Sequence, residues 1–265
     1  MTPETPDDPH PSRGMIPLSS AGGHDSRALF AGVDELCERA ARSAHADGAA
    51  LAIVTRHAHT RELVYATDSD AVRLDELQFT LGEGPCLDAY LHDAPQFHPH
   101  LDNVTRTSQW PTFATEATAL GVHSLFAFPV SGAQRPSRPF GVLELYRRTA
   151  GSLTDDHHAA AQACVTAIGH RLLTNWNEHH ARFGSATEAI DAAADAAQDG
   201  TADPFTRTQI HVAAGMLAIQ LNTQPEEALD RLRAHSYATG CRISSVAADI
   251  IAHRLTLHDE PDRHT

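Results

Sequence analysis

Apolar residues are spaced in two different ways along this chain, and the change divides it into two kinds of structure. Between residues 49 and 148 they occur in short runs separated by polar segments, many of which contain glycine or proline. Such runs are typical of β-strands joined by turns. Between residues 205 and 257 they recur every three or four residues, which predicts amphipathic helices. The chain therefore combines a region rich in strands with a helical one.

The first region reads as a sheet with helices around it. The predicted strands are AALAIVT, ELVYAT, QFHPHL, SLFAFPV and FGVLELYRR. Helical spacing predicts a helix over residues 27–45, a second with Cys86 in its first turn after Pro85, and a third that ends at Gly121. A long helix begins at Thr154 as its N-cap. A meander of short strands with helices at its ends predicts an α+β fold with an antiparallel sheet.

The C-terminal region predicts three helices with clear start and stop signals. Thr206 and Thr223 are each followed three residues later by Gln or Glu, a spacing that predicts capping boxes. The second helix ends at Gly240, and the third covers residues 244–257. Together these helices predict a three-helix bundle.

The first C-terminal helix is apolar on two opposite sides. Val212, Met216 and Ile219 lie opposite the stripe that contains Ile210 and Leu217. One pair of neighbouring helices cannot bury both sides, so the second stripe predicts another partner. A second copy of the chain and the preceding long helix are the candidates, and a simple, well-buried helix is the alternative.

These patterns predict five segments along the chain. We expect a disordered leader over residues 1–25, a sensor domain over 26–183, a linker over 184–204, a helical domain over 205–257 and a disordered tail over 258–265. No apolar run approaches the length of a membrane span, and the acidic, proline-rich start does not match a signal peptide. We therefore expect a cytoplasmic protein without a membrane partner.

The basic residues exclude several enzyme classes. All 20 are arginine, so the chain has neither a P-loop nor a catalytic lysine. The four cysteines lie far apart, without the spacing of a zinc site, and the histidine pairs lack further ligands in a recognisable pattern. We expect no catalytic residue, metal or cofactor.

Charge singles out the C-terminal region as the part that could meet a polyanion. The chain has a net charge of −14, yet residues 205–257 contain five arginines and only four acidic residues. Within this region Arg233 and Tyr237 are four residues apart on one helix face, beside Asp230. An aromatic ring next to a guanidinium can stack on unpaired bases. Alternatively, Tyr237 packs on a neighbouring helix and Arg233 pairs with Asp230.

The motifs AAGML, EEAL, RLRAHSYATG and VAADII occur in order across residues 206–255, which resemble the ANTAR domain, an RNA-binding antiterminator module. The resemblance implies a homodimer that recognises paired RNA stem-loops with six-base loops and prevents formation of a transcription terminator. The residues it implies for RNA contact are Ala214, Gly215, Arg233, Tyr237 and Arg242. Val212 and Ala214 depart from the family, in which these positions are often polar or basic.

The motifs LGEGPCLDAY, FPV and FGVLELY, with the pair Trp110 and Pro111, make residues 26–182 similar to a GAF domain. GAF and ANTAR domains are often joined in actinobacteria. The resemblance implies an α+β sensor of an unknown small-molecule or redox signal. Cys86 is the candidate sensing residue: a helix N-terminus lowers a thiol's pKa, whereas Glu83 and Asp88 oppose this effect. The alternative is a packing role for Cys86.

These observations predict a signal-responsive regulator that binds stem-loop RNA and promotes transcription antitermination. One alternative is a DNA-binding protein with a helix-turn-helix variant. The third helix, SSVAADIIAHRL, argues against it, since small apolar residues dominate where base-reading side chains would be needed. The other alternative is a signalling adaptor whose C-terminal helices serve dimerisation alone.

Overall fold

A computed structural model describes residues 30–54, 61–102, 109–132, 139–183 and 207–257. The predicted leader over residues 1–25, the linker over 184–204 and the tail over 258–265 lie outside the described residues, as does Thr206.

Helices and strands alternate in the first part of the described chain, and three helices follow. The helices are α1 (Val33–Ser43), α2 (Ser69–Leu81), α3 (Pro85–His92), α4 (Pro111–Ala119), α5 (Asp155–Phe183), α6 (Arg207–Leu221), α7 (Pro225–Thr239) and α8 (Ile243–Ile251). The strands are β1 (Gly48–Val54), β2 (Arg61–Ala66), β3 (Gln96–His98), β4 (Ser124–Val130) and β5 (Gly141–Arg147).

The five strands form one antiparallel sheet in the order β2-β1-β5-β4-β3. One face packs against α1 and α5, and the other packs against α2, α3 and α4. Neighbouring residues of β5 alternate between these cores: Leu143 and Leu145 face α1 and α5, whereas Val142 and Tyr146 face the other helices. Because both faces are covered, the central strands are mostly apolar, with the buried Glu144 of β5 as an exception. The predicted α+β fold is confirmed.

Helix α2 is absent from the sequence-based prediction and is the largest correction to it. Asp68 caps the helix, since its carboxylate accepts hydrogen bonds of 2.9 Å from the backbone amides of Asp70 and Ala71. Gly82 ends it in the left-handed conformation. The helix is difficult to recognise because Asp75 and Gln78 are buried, so its inward positions are not uniformly apolar.

The three C-terminal helices pack around one apolar core that includes Leu217, Leu232 and Ile250. The predicted end of α7 at Gly240 is confirmed by its left-handed φ of 64°. The predicted capping box at Thr223 is wrong: Gln224 is the N-cap residue, and the Thr223 hydroxyl donates to the Glu227 carboxylate. Helix α8 is also shorter than predicted, since it ends at Ile251 and a turn follows.

None of the helices in the described ranges combines the length and the apolar character needed to cross a membrane.

Candidate nucleic-acid interface

Tyr237 lies on the outer side of α7 and is 48% exposed. Its hydroxyl lies 3.5 Å from Glu116 Oε1 at the surface of the sensor domain, the outer limit of a hydrogen bond. The ring is therefore half accessible, as stacking on a base requires.

Arg233, one turn before Tyr237, is largely covered, and its side chain is only 16% exposed. Its Nη1 donates to Asp230 Oδ1 at 2.9 Å, as the spacing predicts. Its Nε donates to the backbone carbonyl oxygen of Phe79, in α2 of the sensor domain, at 3.0 Å. Burial lowers the pKa of Arg233. The outward display expected of Arg233 is thus absent in this conformation, because the sensor domain covers the guanidinium.

The remaining predicted contact residues are not brought together on one open surface. Ala214 is buried in the core of the three helices. Gly215 lies where an added Cβ would meet no heavy atom within 4 Å. Arg242, the N-cap of α8, is more than half exposed, and its Nε lies 3.9 Å from Glu76 Oε1 of α2. Among the predicted contact residues, Arg242 and Tyr237 are therefore the most accessible.

Phe79 is the residue through which the sensor domain enters the C-terminal bundle. Its side chain is buried and belongs to the apolar core formed by α6, α7 and α8. The guanidinium carbons of Arg207 and Arg233 lie 4.4 and 5.3 Å from the centre of its ring. At these distances both cations interact favourably with the face of the ring. The ring of Phe79 thus contacts one arginine from α6 and one from α7.

Asp75, one turn before Phe79, lies at the centre of a buried group of charges. Its carboxylate pairs with Arg61 of the sensor domain through one oxygen and with Arg207 of α6 through the other. Arg207 also donates to the backbone carbonyl oxygen of Arg61. A carboxylate that pairs with two cations offsets part of the cost of removing them from water, so its loss would make burial of both arginines less favourable.

Two further carboxylates line the small cavity at this junction. Burial raises the pKa of Glu62 to about 7, although Arg207 lowers it and Asp75 raises it further. Burial also raises the pKa of Glu76, whereas the nearby Arg242 lowers it. The junction is therefore rich in ionisable groups, and the pKa of Glu62 lies above its ordinary value because the carboxyl is buried.

Cys86 lies in the first turn of α3, as predicted, and takes part in a buried polar cluster. Its Sγ lies 2.7 Å from Glu144 Oε2, and Gln78 Nε2 donates to the same oxygen at 2.6 Å. The Cys86 amide donates to Gln78 Oε1 at 2.9 Å. Gly84 has to be glycine here, since an added Cβ would lie 2.5 Å from Gln78 Oε1 and the residue has a φ of 136°.

The chemistry of this cluster favours a neutral thiol. Burial, followed by the nearby Glu144 carboxylate, raises the pKa of Cys86. A thiolate is the reactive form of cysteine, so this environment works against oxidation. Sensing by Cys86 stays a prediction, and the contacts favour the packing role instead. Among the described residues, no group of three or more His, Cys, Asp or Glu side chains could hold a metal ion.

The residues of the junction that the predicted site lacks include Asp75, Phe79 and Arg207. Asp75 and Phe79 lie four residues apart on α2, a helix that the sequence did not predict. Arg207 entered the prediction only as one positive charge in the C-terminal region. Their contacts join two domains, and no spacing within either domain indicates which surfaces meet.

Two protein families match the chain, each in a different region. The GAF domain family matches residues 31–172, and the ANTAR domain family matches residues 204–251. No curated protein matches the sequence.

Solved structures similar to the chain include three with low identity. A GAF domain of an Acinetobacter phosphoenolpyruvate-protein phosphotransferase is 10% identical, with a TM-score of 0.43 over 59% of this chain and 85% of that one. A GAF domain from Synechocystis in its photoproduct state is 10% identical, with a TM-score of 0.42 over 59% and 99%. A type II free methionine-R-sulfoxide reductase from Thermoplasma acidophilum is 10% identical, with a TM-score of 0.40 over 56% and 94%.

The antiparallel sheet, α1 to α4 and the first part of α5 lie within the GAF match, and α6, α7 and α8 lie within the ANTAR match. The GAF match alone covers more than half of the chain. The chain belongs to the GAF domain family, and an ANTAR domain follows its sensor domain.

Proposed function

We propose that the protein is a cytoplasmic regulator that binds stem-loop RNA through its ANTAR domain and promotes transcription antitermination in response to a signal at its GAF domain. The observation that carries the proposal is Tyr237, a half-exposed aromatic ring with Arg233 one turn before it. The ring would stack on an unpaired loop base, and the arginines would bind phosphate or base edges.

The distribution of charge along the chain favours the same surface for RNA binding. The ANTAR region carries slightly more arginines than acids within a chain whose net charge is −14. Most of the protein would therefore repel RNA, and RNA would approach most favourably at the ANTAR region. Binding through arginines should weaken as salt concentration rises, because phosphate contacts release counterions.

A homodimer is part of the proposal. Val212 and Ile219 of α6 are exposed, and Ile219 is 84% exposed. They lie seven residues apart, two turns along the same side of the helix. Apolar side chains at this spacing would pack against a second copy of α6, which would place two RNA-binding faces in one particle. This pairing would suit an RNA that carries two stem-loops.

Replacing Tyr237 with alanine should weaken RNA binding by about 1 to 3 kcal/mol, the usual contribution of an aromatic ring that stacks on a base. Tyr237 tests the site more cleanly than Arg233, since loss of Arg233 would also loosen its contact with Phe79. The measurement is a titration of the full chain against a labelled synthetic RNA with two adjacent stem-loops and randomised six-base loops.

Phe97→Ala is the matched control, since Phe97 is 42% exposed and lies on β3 of the sensor domain. It should leave the affinity unchanged. Equal affinities for wild type and Tyr237→Ala, with both folded, would remove Tyr237 from the site. An adaptor that used α6 for dimerisation alone would sediment as a dimer and would not bind the probe, whereas a DNA-binding protein would prefer duplex DNA.

A further inference from the structure

The surface that covers Arg233 belongs to the same polypeptide. We define the α2 face as Asp75, Glu76 and Phe79, which contact Arg207, Arg233 and Arg242 of the ANTAR domain. These three ANTAR residues are arginines, and the α2 face offers them two carboxylates and an aromatic ring. The α2 face is therefore chemically complementary to an arginine-rich surface.

The partners that Arg233 has in this structure resemble those that RNA would offer. The sensor domain supplies a ring at 5.3 Å and a carbonyl oxygen at 3.0 Å. A nucleotide in a loop offers an aromatic base for stacking and carbonyl or phosphate oxygens as acceptors. One guanidinium cannot serve both sets of partners at the same time.

We propose that the α2 face is an internal competitor of RNA: while it is docked it covers Arg233, and RNA reaches the complete site only after α2 has left. This inference rests on the proposed RNA-binding function and adds the way in which the GAF domain controls it. The route runs through direct contact between α2 and the ANTAR helices, in addition to the covalent link through α5 and the linker.

The composition of the junction makes it separable. Arg207 and Asp75 are buried when docked, and both regain water when the domains part, so their pairing adds little net stability. Phe79 provides the apolar contact that fixes the docked position. Interfaces between domains of one chain commonly allow such relative motion.

The sensor core lies directly behind the α2 face. Gln78 precedes Phe79 in the chain and points the other way, where it donates to the buried Glu144 carboxylate. A change in the sensor core that shifts Gln78 would therefore also shift Phe79, because both belong to one rigid helix. Helix α2 thus connects the inside of the GAF domain with the guanidinium of Arg233.

The test weakens docking without touching the proposed RNA-contact residues. Arg207→Ala removes one ANTAR partner of the α2 face and leaves the Arg61–Asp75 pair inside the sensor domain. Phe79→Ala removes the ring from the other side of the junction. Each full-length variant is titrated with the same two-stem-loop RNA, and circular dichroism verifies its fold. Both variants should bind about tenfold more tightly than wild type if the accessible state is a minority in the wild type.

Two controls locate the effect. Asp70→Asn alters a carboxylate at the start of α2 that pairs with Arg148 inside the sensor domain, and it should leave the affinity unchanged. The double variant Arg207→Ala/Tyr237→Ala should lose most of the gained affinity, because the gain depends on the ANTAR face. A double variant that kept the gain would place RNA elsewhere and contradict the inference.

The outcomes separate the inference from the function on which it rests. RNA binding of equal strength by wild type, Arg207→Ala and Phe79→Ala would overturn internal competition and leave RNA binding in place. No binding of the RNA by any of the folded proteins would overturn the proposed function, and the inference with it.

Discussion

Replacing Asp75 with asparagine should lower the free energy of unfolding by about 3 kcal/mol, the usual cost of removing one partner from a buried ion pair. Asparagine has the same shape but no charge, so Arg61 and Arg207, both buried, would lose the carboxylate with which both of them pair. The loss should be visible as a lower midpoint in urea denaturation followed by circular dichroism.

Asp70→Asn provides a comparison on the same helix. Asp70 pairs with Arg148, whose side chain is half exposed, and surface pairs of this kind contribute about 0 to 1 kcal/mol. The two aspartates lie five residues apart and differ chiefly in burial. Similar midpoints for Asp70→Asn and Asp75→Asn would contradict a central role for Asp75 at the junction.

Replacing Leu232 with alanine should have the second large effect, a loss of about 2 to 5 kcal/mol that unfolds the ANTAR domain. Leu232 is buried at the centre of the three C-terminal helices. A helical unit of this size has little stability to spare, so a cavity in its core is expected to melt it. RNA binding should disappear together with the helical signal of the C-terminal region.

Leu91→Ala makes the same chemical change at an exposed position on α3 and should change stability by less than about 0.5 kcal/mol. Thermal denaturation followed by circular dichroism compares the two variants. Retention of the ANTAR helices and of RNA binding in Leu232→Ala would contradict the helix packing described above.

The strands could be predicted because local sequence determines them. The five predicted strands all occur, and the continuous apolar runs in β1 and β4 follow from burial of both sheet faces. Helix ends with a stereochemical cause, such as Gly240 with its positive φ, were equally predictable. The motifs that resemble GAF and ANTAR domains fall in the regions that those families match.

The junction could not be predicted, because it depends on tertiary contacts. Spacing placed Arg233 beside Asp230, and that hydrogen bond is present. Spacing within α7 holds no information about Phe79, which lies 154 residues earlier in the chain. Helix α2 was missed because its buried positions include Asp75 and Gln78, which interrupt an apolar stripe. Buried polar groups of this kind obscure a helix in the sequence.

The two proposals are that RNA binds at Tyr237 and that its binding displaces the α2 face. Hydroxyl-radical footprinting of the full chain, read by mass spectrometry with and without the two-stem-loop RNA, measures both in one experiment. RNA should decrease the oxidation of Tyr237, which it would cover, and increase that of Phe79, which is buried while docked. Phe97, exposed on the sensor domain, serves as the reference. Unchanged oxidation of Tyr237 at saturating RNA, or continued protection of Phe79, would contradict the account.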